Sequence, residues 1–362
     1  MTSASVQPVL DRVCGTAGPC REDLAFLLGQ ADRRAVREIF DLADQVRGRW
    51  VGQEILLRGI VEFSNSCRND CAYCGIRRSN RSLARYRMTR DQVLACVREI
   101  ASVGIRTVVL QSGEDPGLDP SWLAALIQTV KSDFDMAVTL SVGERSEAEY
   151  RLWRQAGADR YLLKIETTRP GLYAGLHPGM SLDQRMRCSA ILGQIGYQNG
   201  SGSLVGLPGQ GPEDLADDLL FFFRNDFDMV GIGVFIPHGK TPLADRTAGD
   251  LGLALRMVAL TRILLKDSHI PATTAVGTFE RGLGRERALR AGANVVMPNF
   301  TPPEYRRLYD LYPSTRDLDL SPGETVDRLK RMAESLGRTI EFSKGHSLKD
   351  AGRGQTCGPS SN

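Results

Sequence analysis

Eight short, nearly continuous apolar runs, separated by amphipathic segments, set the strongest limit on how this chain folds. They lie at 54–65 (EILLRGIVEFSN), 106–112 (RTVVLQS), 137–142 (AVTLSV), 160–166 (RYLLKIE), 200–207 (GSGSLVGL), 229–236 (MVGIGVFI), 272–277 (ATTAVG) and 294–298 (NVVMP). Strands buried on both faces of a parallel sheet carry such runs, rich in Val, Ile, Leu and Thr. The intervening segments, such as TRDQVLACVREIASVG and PEDLADDLLFFFRND, repeat apolar residues at helical spacing. Several open on Ser, Thr or Pro and close near Gly, as helix ends do. Eight strand–helix units in so regular a series predict a (β/α)8 barrel of TIM type, an α/β fold. A doubly wound open sheet is the alternative. Residues 1–50 read as an N-terminal helical cover, 51–344 as the barrel and 345–362 as a polar C-terminal tail.

Composition narrows the partners. A net charge of +3 on 362 residues gives no case for nucleic acid or a membrane surface. No apolar run reaches the length of a membrane span. The opening residues MTSASVQPVLDRVC lack a basic region followed by an apolar core, so no secretory leader is expected. A cytoplasmic, reducing compartment follows for the eight cysteines.

Three of those cysteines, Cys67, Cys71 and Cys74, stand in CRNDCAYC, directly after the first strand run. A CxxxCxxC spacing can ligate three corners of a 4Fe–4S cubane and leave the fourth iron open. Structural zinc is the competing use, but it prefers four protein ligands. His177, His238, His269 and His346 form no ligand-spaced pair with the triad in sequence. Cys96 and Cys188 fall within amphipathic helical patterns and read as core. Cys14, Cys20 and Cys357 are scattered. LVGLPGQG lacks the Lys-Ser/Thr of a phosphate loop and reads as a strand and its turn.

In such a barrel the C-terminal strand ends line the active site. Those ends carry the cysteine loop, QSGED, Glu144, KIE, FIPHG, the Thr273–Thr274 pair and MPN.

A cysteine triad after the first barrel strand, with an aromatic before its last member, resembles radical S-adenosylmethionine (SAM) enzymes. Within that superfamily the chain is similar to the HydE-type maturases of FeFe-hydrogenase. The matching stretches are LRGIVEFSNSCRNDCAYCGIRRSN, VVLQSGED, RYLLKIET, GSLVGLPGQ, FIPHGKTPL and MPNFTPPEYRRLYDLYPSTR. The resemblance implies one 4Fe–4S cluster on Cys67, Cys71 and Cys74, with SAM bound at its open iron. A one-electron donor would drive cleavage of SAM to a 5′-deoxyadenosyl radical. The implied substrate is a cysteine-ligated iron carbonyl cyanide species used to assemble the diiron centre, with other hydrogenase maturases as partners.

It also implies roles for individual residues. Ser112, Gly113 and Glu114 would lie by the methionine amino group, and Arg185 by its carboxylate. Glu166 would bind the ribose, and Tyr73, Phe235 and Ile236 the adenine. Arg58, Gln111, Thr139, Arg160, Lys164, Thr273, Thr274, Met297, Tyr309 and Tyr312 would form a polar substrate cavity. One departure stands out: relatives typically carry Arg-His-Glu where this chain has Lys164-Ile165-Glu166, and lysine keeps the charge without the planar fork. A related enzyme acting on an amino acid, of methylornithine synthase type, is the alternative. Biotin synthase would need ligands for a second cluster, and the spare cysteines sit in helices. A non-catalytic iron–sulfur carrier would have no use for Glu114, Glu166 and Arg185.

Overall fold

A computed structural model describes residues 5–16, 18–279, 283–313 and 320–349. Its centre is a ring of parallel strands. They are β1 (Glu54–Leu57), β2 (Gly59–Ser64), β3 (Thr107–Ser112), β4 (Ala137–Ser141), β5 (Arg160–Leu162), β6 (Gln198–Ser201), β7 (Leu204–Val205), β8 (Met229–Val230), β9 (Gly233–Val234), β10 (Val295–Val296) and β11 (Thr339–Glu341). Six pair in the order β2-β3-β4-β5-β6-β8, and β7 pairs with β9. Isolated bridges close the ring: Met229 to His269, Pro271 to Val295, and Ile60 to Asn299. Together with the β1–β10 pair, they make an α/β barrel of TIM type. The strands are short and buried on both faces, as near-continuous Val, Ile and Leu runs require.

Three strand runs are broken in two. The first splits at Arg58, the fifth between Ser201 and Leu204, and the sixth between Val230 and Gly233. The seventh expectation, a strand over 272–277, is corrected. Only the stretch around Pro271–Ala272 joins the ring, and Thr274–Gly277 is a helical turn. Pro271 lacks an amide hydrogen for a ladder, and the Thr273 hydroxyl donates to the Ile232 carbonyl at 2.8 Å, bending the chain inward.

β11 was not expected. It lies beside β1 on the side opposite β10. The chain then crosses the N-terminal end of the barrel. Lys344 and Gly345 offer carbonyls to the Arg160 guanidinium at 2.6 and 2.7 Å, and Thr107 donates to the Lys344 carbonyl at 2.9 Å. Ser347 is buried. Residues 345–349, which read as the start of a polar tail, therefore form the barrel floor, because their backbone supplies acceptors to buried donors.

Helices Gln7–Cys14, Arg21–Leu28 and Arg33–Trp50 pack on the outside, against helices Pro212–Asn225 and Leu251–Leu264. Asp32 caps the third by accepting from the Arg34 and Ala35 amides. No helix among the described residues is long and apolar enough to cross a membrane.

Candidate active site

The cysteine loop leaves the C-terminal end of β2 and is pinned from several sides. Gly113 N–H donates to the Ser64 carbonyl at 3.0 Å, Arg68 N–H to Glu114 at 2.9 Å, and Ala72 N–H to Leu176 at 2.8 Å. Gly113 is obligatory here: a Cβ on it would sit 2.9 Å from the Cys67 Cβ and closer still to the Ser66 carbonyl oxygen. The loop after β3 thus presses its bare backbone onto the first cysteine.

Cys67, Cys71 and Cys74 are free and partly buried. Burial pushes the Cys74 thiol up to about 12, and the neighbouring Cys67 charge adds to the rise. Cys71 is raised by burial and then by Cys74 and Cys67; burial raises Cys67 too. Three mutually repelling buried sulfurs are poor thiolates alone and good ligands for a cationic group that offsets their charge. Among the described residues no group of three or more His, Cys, Asp or Glu side chains closes on a single ion. The donor set, all sulfur and three in number, suits an iron–sulfur cubane with one open corner.

From this loop a hydrogen-bonded chain runs along the strand ends. The Arg68 guanidinium donates to Glu114 Oε1 at 2.6 Å. Glu114 Oε2 accepts from the Glu144 amide at 2.7 Å. Glu144 Oε1 accepts from Arg185 Nε at 2.6 Å, and Arg185 also donates to the Lys164 carbonyl at 2.6 Å. Burial works against the Arg185 charge, but Tyr173 and Glu144 more than offset it and lift its pKa above the ordinary guanidinium value. Lys164 Nζ donates to Glu166 at 2.8 Å. Glu166 sits at φ +63°, a left-handed conformation that costs a non-glycine residue about 1–3 kcal/mol. Its neighbours hold it there: the Glu166 amide donates to Gly202, and Leu204 donates back to Glu166, both at 3.0 Å.

Tyr73 and Phe235 meet in one small apolar cluster with Leu176, Leu204 and Leu207. Ile236 packs instead against the main core. Ser112 donates to the Gly113 carbonyl at 2.6 Å. Asp115 is structural, accepting from Ser64, Arg87 and the Gly117 amide.

Deeper in the barrel, Gln111 donates to the Tyr309 hydroxyl at 3.3 Å, and Thr274 lies near Tyr312. Met297 is half-buried after β10. Thr139 Oγ1 and Arg58 Nε are buried without a partner. Such orphans are costly unless a ligand meets them. Arg58 and Arg160 lie deep in the barrel, against its floor. Arg160 donates to Gln198 and the floor carbonyls, and Arg58 to Met229 Sδ at 2.7 Å and the Gly345 carbonyl at 3.4 Å. Burial, and then Arg160, drive the Arg58 pKa well down.

Sequence reasoning missed two residues. Glu144, noted only as a strand-end residue, is the partner of Arg185. His177 lies with Nδ1 3.3 Å from Cys71 Sγ, while its Nε2 is buried without a partner. Tyr73 meets its ring edge-on and Tyr173 stacks tilted against it. Burial, and then the Arg185 and Lys164 charges, lower its pKa to about 3 and keep it neutral. No spacing signal relates His177 to a cysteine 106 residues earlier.

A strand ring with a three-cysteine loop at its C-terminal mouth defines a radical SAM enzyme, and residues 61–222 match the family model described as the radical SAM superfamily. Enzymes of this class carry a 4Fe–4S cluster and SAM. The chain is 50% identical over 318 residues to the [FeFe] hydrogenase maturase subunit HydE of Thermotoga maritima, covering 88% of this chain and 91% of that protein. It belongs to the HydE-type family. It is also 28% identical over 327 residues to 3-methylornithine synthase of Methanosarcina acetivorans, covering 89% and 91%. The crystal structure of methylornithine synthase (PylB) superposes with a TM-score of 0.81 at 27% identity, over 92% of this chain and 97% of that one. The maturase HydG shares the fold, with a TM-score of 0.79 at 18% identity, over 94% and 77%.

Proposed function

We propose that this protein is a cytoplasmic radical SAM maturase that acts on a cysteine-ligated iron carbonyl cyanide precursor during assembly of the FeFe-hydrogenase active-site cluster, in company with other maturases. The observation that carries this reading is the 50% identity to the Thermotoga HydE over nearly its full length. When bound, the cluster would supply one electron to the SAM sulfonium, whose S–C5′ bond would break to give methionine and a 5′-deoxyadenosyl radical.

Cys67, Cys71 and Cys74 would hold the cluster and leave one of its irons open. Ser112, Gly113 and Glu114 face the SAM amino group. Arg185, oriented by Glu144, meets the carboxylate with its remaining donors, since guanidinium geometry matches carboxylate. Glu166, whose carboxylate accepts from Lys164 Nζ, would take the ribose hydroxyls. Tyr73 and Phe235 flank the adenine, with Ile236 behind. Gln111, Thr139, Lys164, Thr273, Thr274, Met297, Tyr309 and Tyr312 line the substrate cavity, and Arg58 and Arg160 form its cationic lower wall. The orphaned Thr139 hydroxyl and Arg58 Nε support a polar, anion-bearing substrate.

Methylornithine synthase chemistry is the competing reading, favoured by the TM-score of 0.81. The test is anaerobic turnover of the reconstituted protein with dithionite and SAM. An adenosylated product from the iron–cysteine complex supports the maturase. Deuterium transfer from labelled lysine into 5′-deoxyadenosine would replace it with the amino-acid enzyme, and no SAM cleavage would sink both.

A further inference from the structure

The cluster must take up one electron for each SAM cleaved, and the sequence around the cysteine loop carries a marked excess of positive charge. Residues 66–90 contain seven arginines and one acid, Asp70, in a chain whose total charge is only +3; the rest of the chain is therefore net negative.

Some of this charge is spent locally. Arg77 pairs with Asp70 at 2.7 Å, Arg68 with Glu114 at 2.6 Å and Arg87 with Asp115 at 2.6 Å. The rest is not. Arg85 donates to backbone carbonyls of Asn65, Ile76, Arg77 and Asn80, which leave its charge whole. That charge reaches both Cys67 and Cys74. Arg78 and Arg81 are exposed and meet no carboxylate within ion-pair distance among the described residues. The run lies against the cysteine loop: Arg78 N–H donates to the Asn69 carbonyl at 2.8 Å and Asn80 Nδ2 to Gly75 at 2.7 Å. Arg68 stands beside Cys67 with its side chain 54% exposed.

We infer that this arginine face is the docking surface of a small acidic protein that carries one electron at low potential. The inference rests on the radical SAM reading of the cysteine loop. The carrier's reduced centre loses one electron, the cluster passes from the 2+ to the 1+ state, and no bond forms or breaks in that step. An anionic carrier gains twice from the site. Uncompensated cations steer it in from a distance, and their segment lies against the cysteine loop, where its redox centre has to come near. Single-stranded nucleic acid would want exposed aromatic rings for stacking among the cations, and Tyr86, the aromatic between Arg85 and Arg87, is buried.

The test uses the reconstituted full chain and a plant-type [2Fe–2S] ferredoxin as the acidic probe, in anaerobic stopped flow with freeze-quenched EPR of the reduced cluster. The wild-type second-order rate should fall about tenfold or more as salt is raised from low to several hundred millimolar, where screening shortens to a few ångströms. An Arg78→Glu/Arg81→Glu variant should lose roughly tenfold or more at low salt and show a flattened salt dependence. Its dithionite-driven formation of 5′-deoxyadenosine should stay at the wild-type level, which separates docking from the cluster reading itself. A salt-independent wild-type rate, a double variant reduced as fast as wild type, or a wild-type cluster that dithionite reduces and ferredoxin does not would each overturn the proposal. So would tight oligonucleotide binding to the face with the ferredoxin rate untouched by the two substitutions.

Discussion

Gly113→Ala isolates the contact that fixes the first cluster ligand. The added Cβ would lie 2.9 Å from the Cys67 Cβ, whereas carbon atoms normally meet at about 3.5–4.0 Å. The overlap is thus at least about 0.6 Å on that atom, and the second clash, on the Ser66 carbonyl, involves backbone that cannot rotate aside. Relief requires the Ser66–Cys67 segment to move outward by a similar distance. Overpacking of this kind costs about 1–3 kcal/mol. Taken up as displacement of Cys67, that weakens cluster binding roughly 5- to 150-fold, at 1.36 kcal/mol per tenfold. The assay is iron and sulfide per chain after anaerobic reconstitution, followed by the rate of iron loss to a chelator. Gly171→Ala is the matched control, because a Cβ there meets nothing within 4 Å and alanine favours its helix. A Gly113→Ala protein that holds a full cluster and resists chelation like wild type would refute the packing argument.

Three further outcomes are expected. His177→Leu removes the N–H donor that faces Cys71 Sγ once that sulfur is a thiolate. At about 1 kcal/mol for the bond, the cluster midpoint should become more negative by roughly 40–60 mV in an EPR-monitored titration, with His177→Asn restoring part of the shift. Arg185→Lys keeps the charge but not the fork. SAM affinity by equilibrium dialysis should drop about tenfold, while iron content is unchanged; unchanged affinity would remove Arg185 from the site. Asp218, buried under the loop that follows Glu166, has its pKa raised to about 7 by burial, against hydrogen bonds from Thr168 and Ser203. Because the folded value exceeds the ordinary 3.8, this group's contribution to stability is full below about pH 4 and is lost as pH rises through 7. Urea unfolding of Asp218→Asn against wild type should therefore shift in the variant's favour with rising pH, by up to roughly 4 kcal/mol over three units; a flat difference would contradict it.

The ring of strands was legible because parallel strands buried on both faces leave few options for Val, Ile and Leu runs. The seventh was misread because ATTAVG has β-branched composition, while its course is decided by Pro271 and by a hydroxyl bond from Thr273 to a residue 41 positions earlier. β11 is three residues, one exposed and two half-buried, too short to show a period. The floor residues look like a solvated tail because their contribution is made by backbone carbonyls, which no side-chain pattern reports. The cysteine triad is a local motif and was plain. The chain Arg68–Glu114–Glu144–Arg185 was only half visible, since each link joins a different strand end. His177 was hidden for the same reason, its partner being fixed by the docking of Ala72 on Leu176.

The seam of the barrel has a consequence for how the protein is made. β1 must wait for β10 on one side and β11 on the other, and Arg338 reaches back to the Gln53 carbonyl across 285 residues. Contacts at such separation are slow to form. During synthesis the β2–β5 portion can assemble early, while Arg58 and Arg160 remain without their floor until residues 344–345 arrive. A nascent barrel, its edge open at β2 and β1, is then the species most exposed to aggregation. Slower growth during expression, or chaperone supply late in elongation, should raise soluble yield more than any change at the cluster loop.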